Sequence, residues 1–242
     1  MVRSSINHLN ALFVILCLTF FILFCFFNME VFAGTFDKAD FKGNWIRMDI
    51  ATGDEWEGWN REELNCDNSA SCNIYWGEDS EGSDISGGTV AFNVTNEGII
   101  TISENQSFEG IMNKGKDFFI DTGSESNDYH FMGVNFKIDP RKVFEPHDLS
   151  GDWYIMELIS GENEEGWIRG KMTCNINGRC NLYNVVNSQG EKGEGVKNFK
   201  LNEDGYITNE SNPSLLGKMH QSCNFFMSTS SNPNTLTIGI KR

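Results

Sequence analysis

The sequence predicts an all-β protein that consists of two tandem antiparallel meanders, each closed into a small barrel of about eight strands. Three observations support this fold class: an internal repeat at a spacing of 108 residues, apolar residues that alternate with polar ones along short segments, and glycine-containing turns between those segments. A β-sandwich or a propeller-like set of four-stranded blades is the alternative.

The internal repeat divides the chain into two copies. The segment 43–75 recurs as 151–183, and nine residues keep their register: Gly43, Trp45, Met48, Gly58, Trp59, Arg61, Cys66, Cys72 and Tyr75 match Gly151, Trp153, Met156, Gly166, Trp167, Arg169, Cys174, Cys180 and Tyr183. A connector with two of the four prolines, 138–147, separates the copies. We therefore expect one domain at 34–142, with its core at about 40–137, and another at 143–242, with its core at about 148–242. Each is expected to fold alone.

The strands of the first copy follow from period-two alternation. They are expected to start near Trp45, Trp59, Cys72, Val90, Ile99, Phe108, Asp117 and Phe131. Because the connections are short, neighbouring strands should pair antiparallel, as at the matching turns 96–98 and 203–205. The residues expected to face the interior include Met48, Phe92, Phe118 and Phe136, and such large side chains argue against a large cavity.

The N-terminus has the features of a secretion signal. Arg3 precedes an apolar run, Ala11–Phe27, and the small side chains of Val31 and Ala33 suit cleavage before Gly34. Residues 1–33 are therefore predicted to be a signal peptide, and the mature protein to be secreted, periplasmic or extracellular, without a stable membrane anchor. An uncleaved N-terminal anchor is the alternative.

The charge is distributed unevenly between the copies. The chain has a net charge of −15; residues 34–146 contain 22 acidic and 9 basic residues, whereas residues 147–242 contain 11 and 9. Such a chain is not expected to bind nucleic acid. Solubility is the simplest explanation of the acidity, and a cation site or a basic partner of the first copy is the alternative.

The cysteines indicate an oxidising compartment. Cys66 and Cys72 recur as Cys174 and Cys180, and a turn with left-handed Gly178 would place the second pair face to face. We expect two hairpin disulfides; a zinc site is the alternative, although five intervening residues are an unusual spacing for zinc.

The fifth cysteine of the mature chain, Cys223, does not recur, because Lys116 stands at its position in the first copy. It is predicted to be a free, exposed thiol through which a reducible dimer could form.

Each first strand carries a Gly-x-Trp motif, at 43–45 and 151–153. In this the chain resembles the lipocalins and their calycin relatives, whose first-strand tryptophan packs on a basic residue near one end of the barrel. The resemblance implies barrel architecture. The candidate residues for such a barrel end are Trp45, Trp59, Arg61, Trp153, Trp167 and Arg169, with Lys137 and Lys241 as alternative basic partners. A role of the tryptophans as a platform for a sugar or aromatic ligand is the functional alternative.

Acidic residues cluster in loops of the first copy. The candidate calcium ligands among them are Asp54, Glu55, Glu57, Asp79, Glu81 and Asp84, since closely spaced oxygens on loops can hold calcium. The clusters lack an EF-hand pattern, so solvated loops are the simpler interpretation, and a carboxylate pair for glycoside hydrolysis is a third one.

No catalytic motif or cofactor-binding motif is evident in the sequence. The function predicted from these patterns is a secreted, non-catalytic binding or interaction module of unknown specificity, with no cofactor and either a small apolar or aromatic ligand or a protein as partner. The alternatives are a small-ligand carrier and an extracellular hydrolase.

Overall fold

The structure is a computed structural model that describes residues 35–53, 56–126, 129–161, 165–231 and 233–242. The predicted signal peptide lies outside the described residues, as do Asp54 and Glu55. Two short 3₁₀ turns and sixteen strands make up the regular structure of the described ranges. None of the helical segments in these ranges is long and apolar enough to cross a membrane.

Two closed eight-stranded antiparallel barrels follow each other along the chain, which confirms the predicted fold class. The first comprises β1 (Gly43–Gly53), β2 (Gly58–Cys66), β3 (Ser71–Asp79), β4 (Thr89–Val94), β5 (Ile99–Ile102), β6 (Glu109–Met112), β7 (Phe118–Ser126) and β8 (Tyr129–Ile138). The second comprises β9 (Gly151–Ser160), β10 (Gly166–Cys174), β11 (Arg179–Asn187), β12 (Lys192–Leu201), β13 (Tyr206–Asn209), β14 (Asn212–Met219), β15 (Phe225–Ser230) and β16 (Asn234–Lys241). In each barrel the first strand also pairs with the last, so the sheet has no open edge.

A 3₁₀ turn closes one end of each barrel beneath the Gly-x-Trp tryptophan. In the first barrel the turn is Lys38–Phe41, and Nε1 of Trp45 donates a hydrogen bond to the carbonyl of Phe41 at 2.6 Å. Nζ of Lys137 lies 5.1 Å from the Trp45 ring and donates to the carbonyl of Asp40. The basic partner of this tryptophan is therefore the lysine of the last strand.

The second barrel repeats this closure. Its turn is Pro146–Leu149, and Nε1 of Trp153 donates to the carbonyl of Leu149 at 2.9 Å. Nζ of Lys241 lies 5.2 Å from the Trp153 ring and donates to the carbonyl of Asp148. A tryptophan held by a turn carbonyl below and an ammonium group beside it thus closes both barrels.

The four paired cysteines form the two expected hairpin disulfides. Cys66 is bonded to Cys72 and Cys174 to Cys180, and both pairs stand opposite each other in their ladders with Cα atoms 3.9 Å apart. Gly178 has a φ of 77°, as the turn requires.

The thiol of Cys223 is free but only partly exposed, which corrects the expectation of an exposed thiol. Burial raises its pKa, and the nearby carboxylate of Asp148 adds to the effect. The side chain packs against the core of the second barrel, so the thiolate form is disfavoured.

Strand β1 has two buried faces, and its inner face is the polar one. Trp45 belongs to the core inside the first barrel, so Arg47 and Asp49 point inward with it. Met48 is on the outer face, in register with Arg61 of β2, yet it is only 2% exposed because the second barrel covers it. The expectation that Met48 fills the interior is therefore wrong.

Strands β7 and β8 show the same inversion. The rings of Phe118 and Phe136 lie 5.0 and 5.9 Å from the ring of Phe225 in the second barrel, so both face outward. Phe92 does lie in the inner core, as expected. Apolar alternation correctly indicates a buried face, but on these strands that face is the contact between the barrels.

A buried guanidinium group lies in the contact between the barrels. Arg61 stacks on Trp59, with the guanidinium carbon 3.8 Å from the ring centroid. Its Nη2 donates to the carbonyl oxygen of Thr229 at 3.1 Å and to that of Ser214. Another hydrogen bond also crosses the contact: Oγ of Ser160 donates to the carbonyl oxygen of Ala51 in β1 at 2.8 Å. Residues 35–242 accordingly form one compact unit.

Candidate functional site in the first barrel

One guanidinium group inside the first barrel forms ion pairs with three carboxylates. Nη1 of Arg47 lies 2.9 Å from Oδ2 of Asp49 and 3.5 Å from Oε2 of Glu62, and Nη2 lies 3.3 Å from Oδ1 of Asp121. The residues come from β1, β2 and β7, and each of the three acidic residues is at most 9% exposed. We call these four residues the Arg47 cluster.

Neighbouring amides and a glycine hold two of the carboxylates in place. Nδ2 of Asn60 donates to Asp49 at 3.1 Å, and Nδ2 of Asn135 donates to Asp121 at 2.6 Å. Gly133 faces Asp121 across the ladder, and a Cβ at that position would lie 2.6 Å from the carboxylate oxygen. A larger residue at Gly133 would thus displace Asp121 from the cluster.

Burial, with a smaller contribution from neighbouring negative charge, perturbs the pKa of one acid in the cluster. The pKa of Asp49 is raised to about 7; burial is the largest cause, Arg47 opposes it, and the charges of Glu62 and Asp121 add to it. For Arg47, burial disfavours the charge, but the surrounding carboxylates raise its pKa well above the usual value. The cluster therefore contains a fixed cation and an acid that changes its protonation state near neutral pH.

The Arg47 cluster forms one side of an open cavity of about 760 Å³, which we call the cup. The opposite side is apolar, and loop 104–108 lies at the mouth. The lining residues are Arg47, Asp49, Asn60, Glu62, Leu64, Ile74, Val90, Phe92, Ile102, Glu104, Asn105, Gln106, Ser107, Phe108, Ser124, Tyr129 and Phe131. A cavity of this size, with apolar walls and a few polar groups, has the character of a small-molecule site.

Aromatic rings extend along one wall of the cup towards its mouth. The Phe131 ring lies 6.2 Å from those of Phe108 and Tyr129, and the Tyr129 ring lies 6.1 Å from that of Trp56. The guanidinium carbon of Arg47 lies 5.6 Å from the Phe131 ring, so the aromatic wall and the charged cluster meet.

The second barrel keeps the fold and lacks the cluster. Ile155 lies opposite Gly170, just as Arg47 lies opposite Glu62. At the places of Asp49, Asp121 and Asn135 the second barrel carries Glu157, Ser228 and Gly239. Glu157 is thus its one remaining acid of the set, and this carboxylate accepts a hydrogen bond from Thr237 at 2.8 Å.

The residues predicted as a barrel-end site do not form one site. Trp45 pairs with Leu64 near the closed end, whereas Trp59 pairs with Ile50 at the other end of the same strands. Trp59 and Arg61 belong to the contact between the barrels, as described above.

The equivalent pair of the second barrel lies on its outer face. The guanidinium carbon of Arg169 is 5.1 Å from the Trp167 ring centroid, and Arg169 is exposed. Trp153, like Trp45, closes a barrel end. These four tryptophans therefore have structural positions. None of the six residues predicted for the barrel ends, the two arginines included, is among the described residues that line the cup.

The acidic loops use their oxygens locally. Oδ1 of Asp79 accepts hydrogen bonds from the backbone N–H groups of Glu81 and Ser83, and Oδ1 of Asp84 accepts one from Ser86. Among the described residues, which include Glu57, no group of three His, Cys, Asp or Glu is arranged to hold a metal ion.

Sequence reasoning missed the Arg47 cluster. Arg47 and Asp49 alternate with apolar residues, and the period-two pattern places such polar positions on the solvent face. A usable signal is nonetheless present in the repeat: Arg47 is matched by Ile155 at the constant spacing, although Trp45 and Met48 recur as Trp153 and Met156. Positions that differ between otherwise matching copies are candidates for function rather than fold.

No family model matches the chain, and no curated protein matches it. Among solved structures it is similar to a protein of unknown function from Nostoc punctiforme, of the DUF3598 family, with 10% identity, 85% of this chain and 98% of that chain covered, and a TM-score of 0.28. It is also similar to kievitone hydratase from Nectria haematococca, with 7% identity, coverage of 83% and 89%, and a TM-score of 0.21. The class defined by the fold and the cup is a tandem pair of closed up-and-down barrels, with a cavity in the first that is charged on one side and apolar on the other.

Proposed function

We propose that the protein is a secreted, non-catalytic binding protein that holds a small organic molecule in the cup of its first barrel. The observation that carries this proposal is the presence of the Arg47 cluster in one barrel and its absence from the equivalent positions of the other.

The duplication serves as an internal control for that observation. Both barrels have the same strand order, the same closed end and the same disulfide hairpin, so the fold does not require the cluster. Burying several charges is costly unless they are well paired. A buried, charge-rich set that the fold does not need, placed in an accessible cavity, is typical of a functional site.

The cup also favours a small molecule, and not another protein, as the binding partner of the first barrel. Phe118 and Phe136, which the sequence predicts inside the first barrel, instead contact Phe225 of the second barrel, and the interior of the first contains a cavity. An apolar outer face of the first barrel is thereby covered within the chain. The two disulfides fit an extracellular or periplasmic location, in keeping with secretion.

Filling the cup provides the test. Ile74 lines the cup in register with Leu64, and Leu182 has the equivalent position in the second barrel, in register with Met172. Ile74→Trp is expected to abolish binding of the neutral fluorophore N-phenyl-1-naphthylamine. It should also abolish co-purification of a small molecule from the protein's own host, to be measured by native mass spectrometry. Leu182→Trp is the matched control and should retain both.

The proposal is rejected if wild type, Ile74→Trp and Leu182→Trp bind the fluorophore equally, or if wild type does not bind it and carries no small molecule from its own host. Circular dichroism of both variants checks that the barrels remain folded.

A further inference from the structure

The cup contains more negative than positive charge. Among the described residues that line it, Arg47 is the one basic residue, whereas Asp49, Glu62 and Glu104 are acidic. Asp121 adds a further carboxylate behind Arg47, at 3.3 Å. A single guanidinium group therefore balances only part of the acidic groups around it, and the field in the cup favours a cation.

One buried carboxylate oxygen that lines the cup is without a hydrogen-bond donor among the described residues. Oδ2 of Asp49 is 2.9 Å from Nη1 of Arg47 but lacks the alignment of a hydrogen bond. Asp49 is 1% exposed and lines the cup. A buried acceptor without a donor is unfavourable, so this oxygen is suited to a ligand that brings a donor.

The other wall of the cup determines what kind of cation fits. Val90, Ile102 and Phe131 present apolar side chains, and a small hydrated metal ion would leave that wall uncovered. A volume of about 760 Å³ accommodates an organic body of one or two rings.

We propose that the ligand of the cup is an organic cation, a molecule with one ammonium group next to Asp49 and Glu62 and an aromatic or branched apolar body against Val90, Ile102 and Phe131. This inference rests on the proposed function, since it names the class of molecule that the cup binds. Arg47 acts as a positioning residue: it draws the three carboxylates together on one side of the cup, and the ammonium group supplies the second positive charge.

Binding is expected to depend on pH through Asp49. The groups that face it are Arg47 from its own strand, Asn60 and Glu62 from β2, and Asp121 from β7, with Gly133 opposite on β8. Because a cation favours the ionised carboxylate, its affinity should rise as Asp49 loses its proton, between about pH 5 and pH 8.

Three probes of similar shape and different charge test the inference: 2-phenylethylamine, 2-phenylethanol and 3-phenylpropanoate, each titrated into the purified protein by calorimetry at pH 8. The amine should bind at least about tenfold more tightly than the alcohol, and the anion most weakly, because a charge-assisted hydrogen bond contributes about 1.5–3 kcal/mol. Asp49→Asn should weaken amine binding by a similar factor and remove its increase between pH 5 and pH 8.

Glu157→Gln is the matched control, because Glu157 has the position of Asp49 in the second barrel, and it should leave amine binding unchanged. If the alcohol or the anion binds as tightly as the amine, and Ile74→Trp blocks it, the cation inference is wrong while the proposed function stands. The same conclusion follows if the neutral fluorophore binds in an Ile74-dependent way but the amine does not bind at about 5 mM. If Ile74→Trp changes the binding of no probe, both proposals fail.

Discussion

At the scale of single residues, Asp49 links the stability of the empty protein to pH. Its pKa is about 7 in the folded state, mainly because of burial, against a usual value near 4 in the unfolded chain. The folded state therefore holds a proton that the unfolded state has lost. The free energy of unfolding should fall, through this group, as the pH rises from about 4 to 7.

Asp49→Asn should remove this dependence of the unfolding free energy on pH. The variant should be more stable than wild type at pH 8, on the order of 1–3 kcal/mol, and close to wild type at pH 4. Urea unfolding at both pH values measures the difference. The control is Asp84→Asn, since Asp84 is exposed and its pKa is lowered by hydrogen bonds from Ser86, so the profile between pH 5 and pH 8 should not change. An equal loss of stability at both pH values would show that Asp49 acts instead as an ionised partner of Arg47.

At the scale of the elements, the strands and turns could be predicted from the sequence, but the facing of several strands could not. All eight strand positions of the first barrel and the hairpin of Gly178 follow from local patterns that the structure confirms. Period two indicates that one face is apolar, and it cannot tell whether that face covers the interior or a neighbouring barrel. On β1 and β8 the apolar face lies against the second barrel and not against the interior.

The candidate site could not be predicted for the same reason. Arg47, Asp49, Glu62 and Asp121 are separated by up to 74 residues, and they meet only because the closed barrel brings β1, β2 and β7 onto one interior. Charged residues on strands usually face water. Only their replacement in the second copy, where Ile155 and Gly170 stand at the positions of Arg47 and Glu62, distinguishes them in the sequence.

Substitution of Met48 tests whether the outer face of β1 is packed like a core. Met48→Ala removes a 2% exposed side chain from the contact between the barrels and should cost about 2–4 kcal/mol of unfolding free energy, as for a core position. Met156 occupies the equivalent place on β9, where it is partly exposed, so Met156→Ala should cost clearly less. Chemical denaturation of both variants compares them. Equal costs would mean that the outer face of β1 is not a second core.

At the scale of the whole molecule, each barrel is closed on its own and carries its own disulfide, but the two share an apolar contact. Fragments 34–142 and 143–242 are therefore predicted to fold separately and, when mixed, to associate. Circular dichroism and hydrogen exchange report the folding of each fragment, and size-exclusion chromatography of the mixture reports the association. Fragments that are both unfolded would show that neither barrel is stable without its neighbour.

Arg61 tests how the contact joins the barrels. Burial lowers its pKa to about 10, so it is still charged at neutral pH, and it donates to the carbonyl oxygens of Ser214 and Thr229 in the second barrel. Arg61→Met keeps much of the apolar volume but leaves two carbonyls of the second barrel without these donors. The expected loss is about 2–4 kcal/mol, because removing one partner of a buried charged hydrogen bond leaves the other unsatisfied.

The matched variant is Arg169→Met, since Arg169 stacks on Trp167 in the same way but is exposed on the second barrel. It should change the unfolding free energy by less than about 0.5 kcal/mol, as is usual for surface positions. Calorimetry of thermal unfolding further distinguishes the Arg61→Met variant from the Arg169→Met variant. A weakened contact in Arg61→Met should separate the unfolding of the barrels into two transitions, whereas Arg169→Met should unfold as wild type does. A single, unshifted transition in Arg61→Met would show that the apolar surfaces around Met48 and Phe136 hold the barrels together without the buried charge.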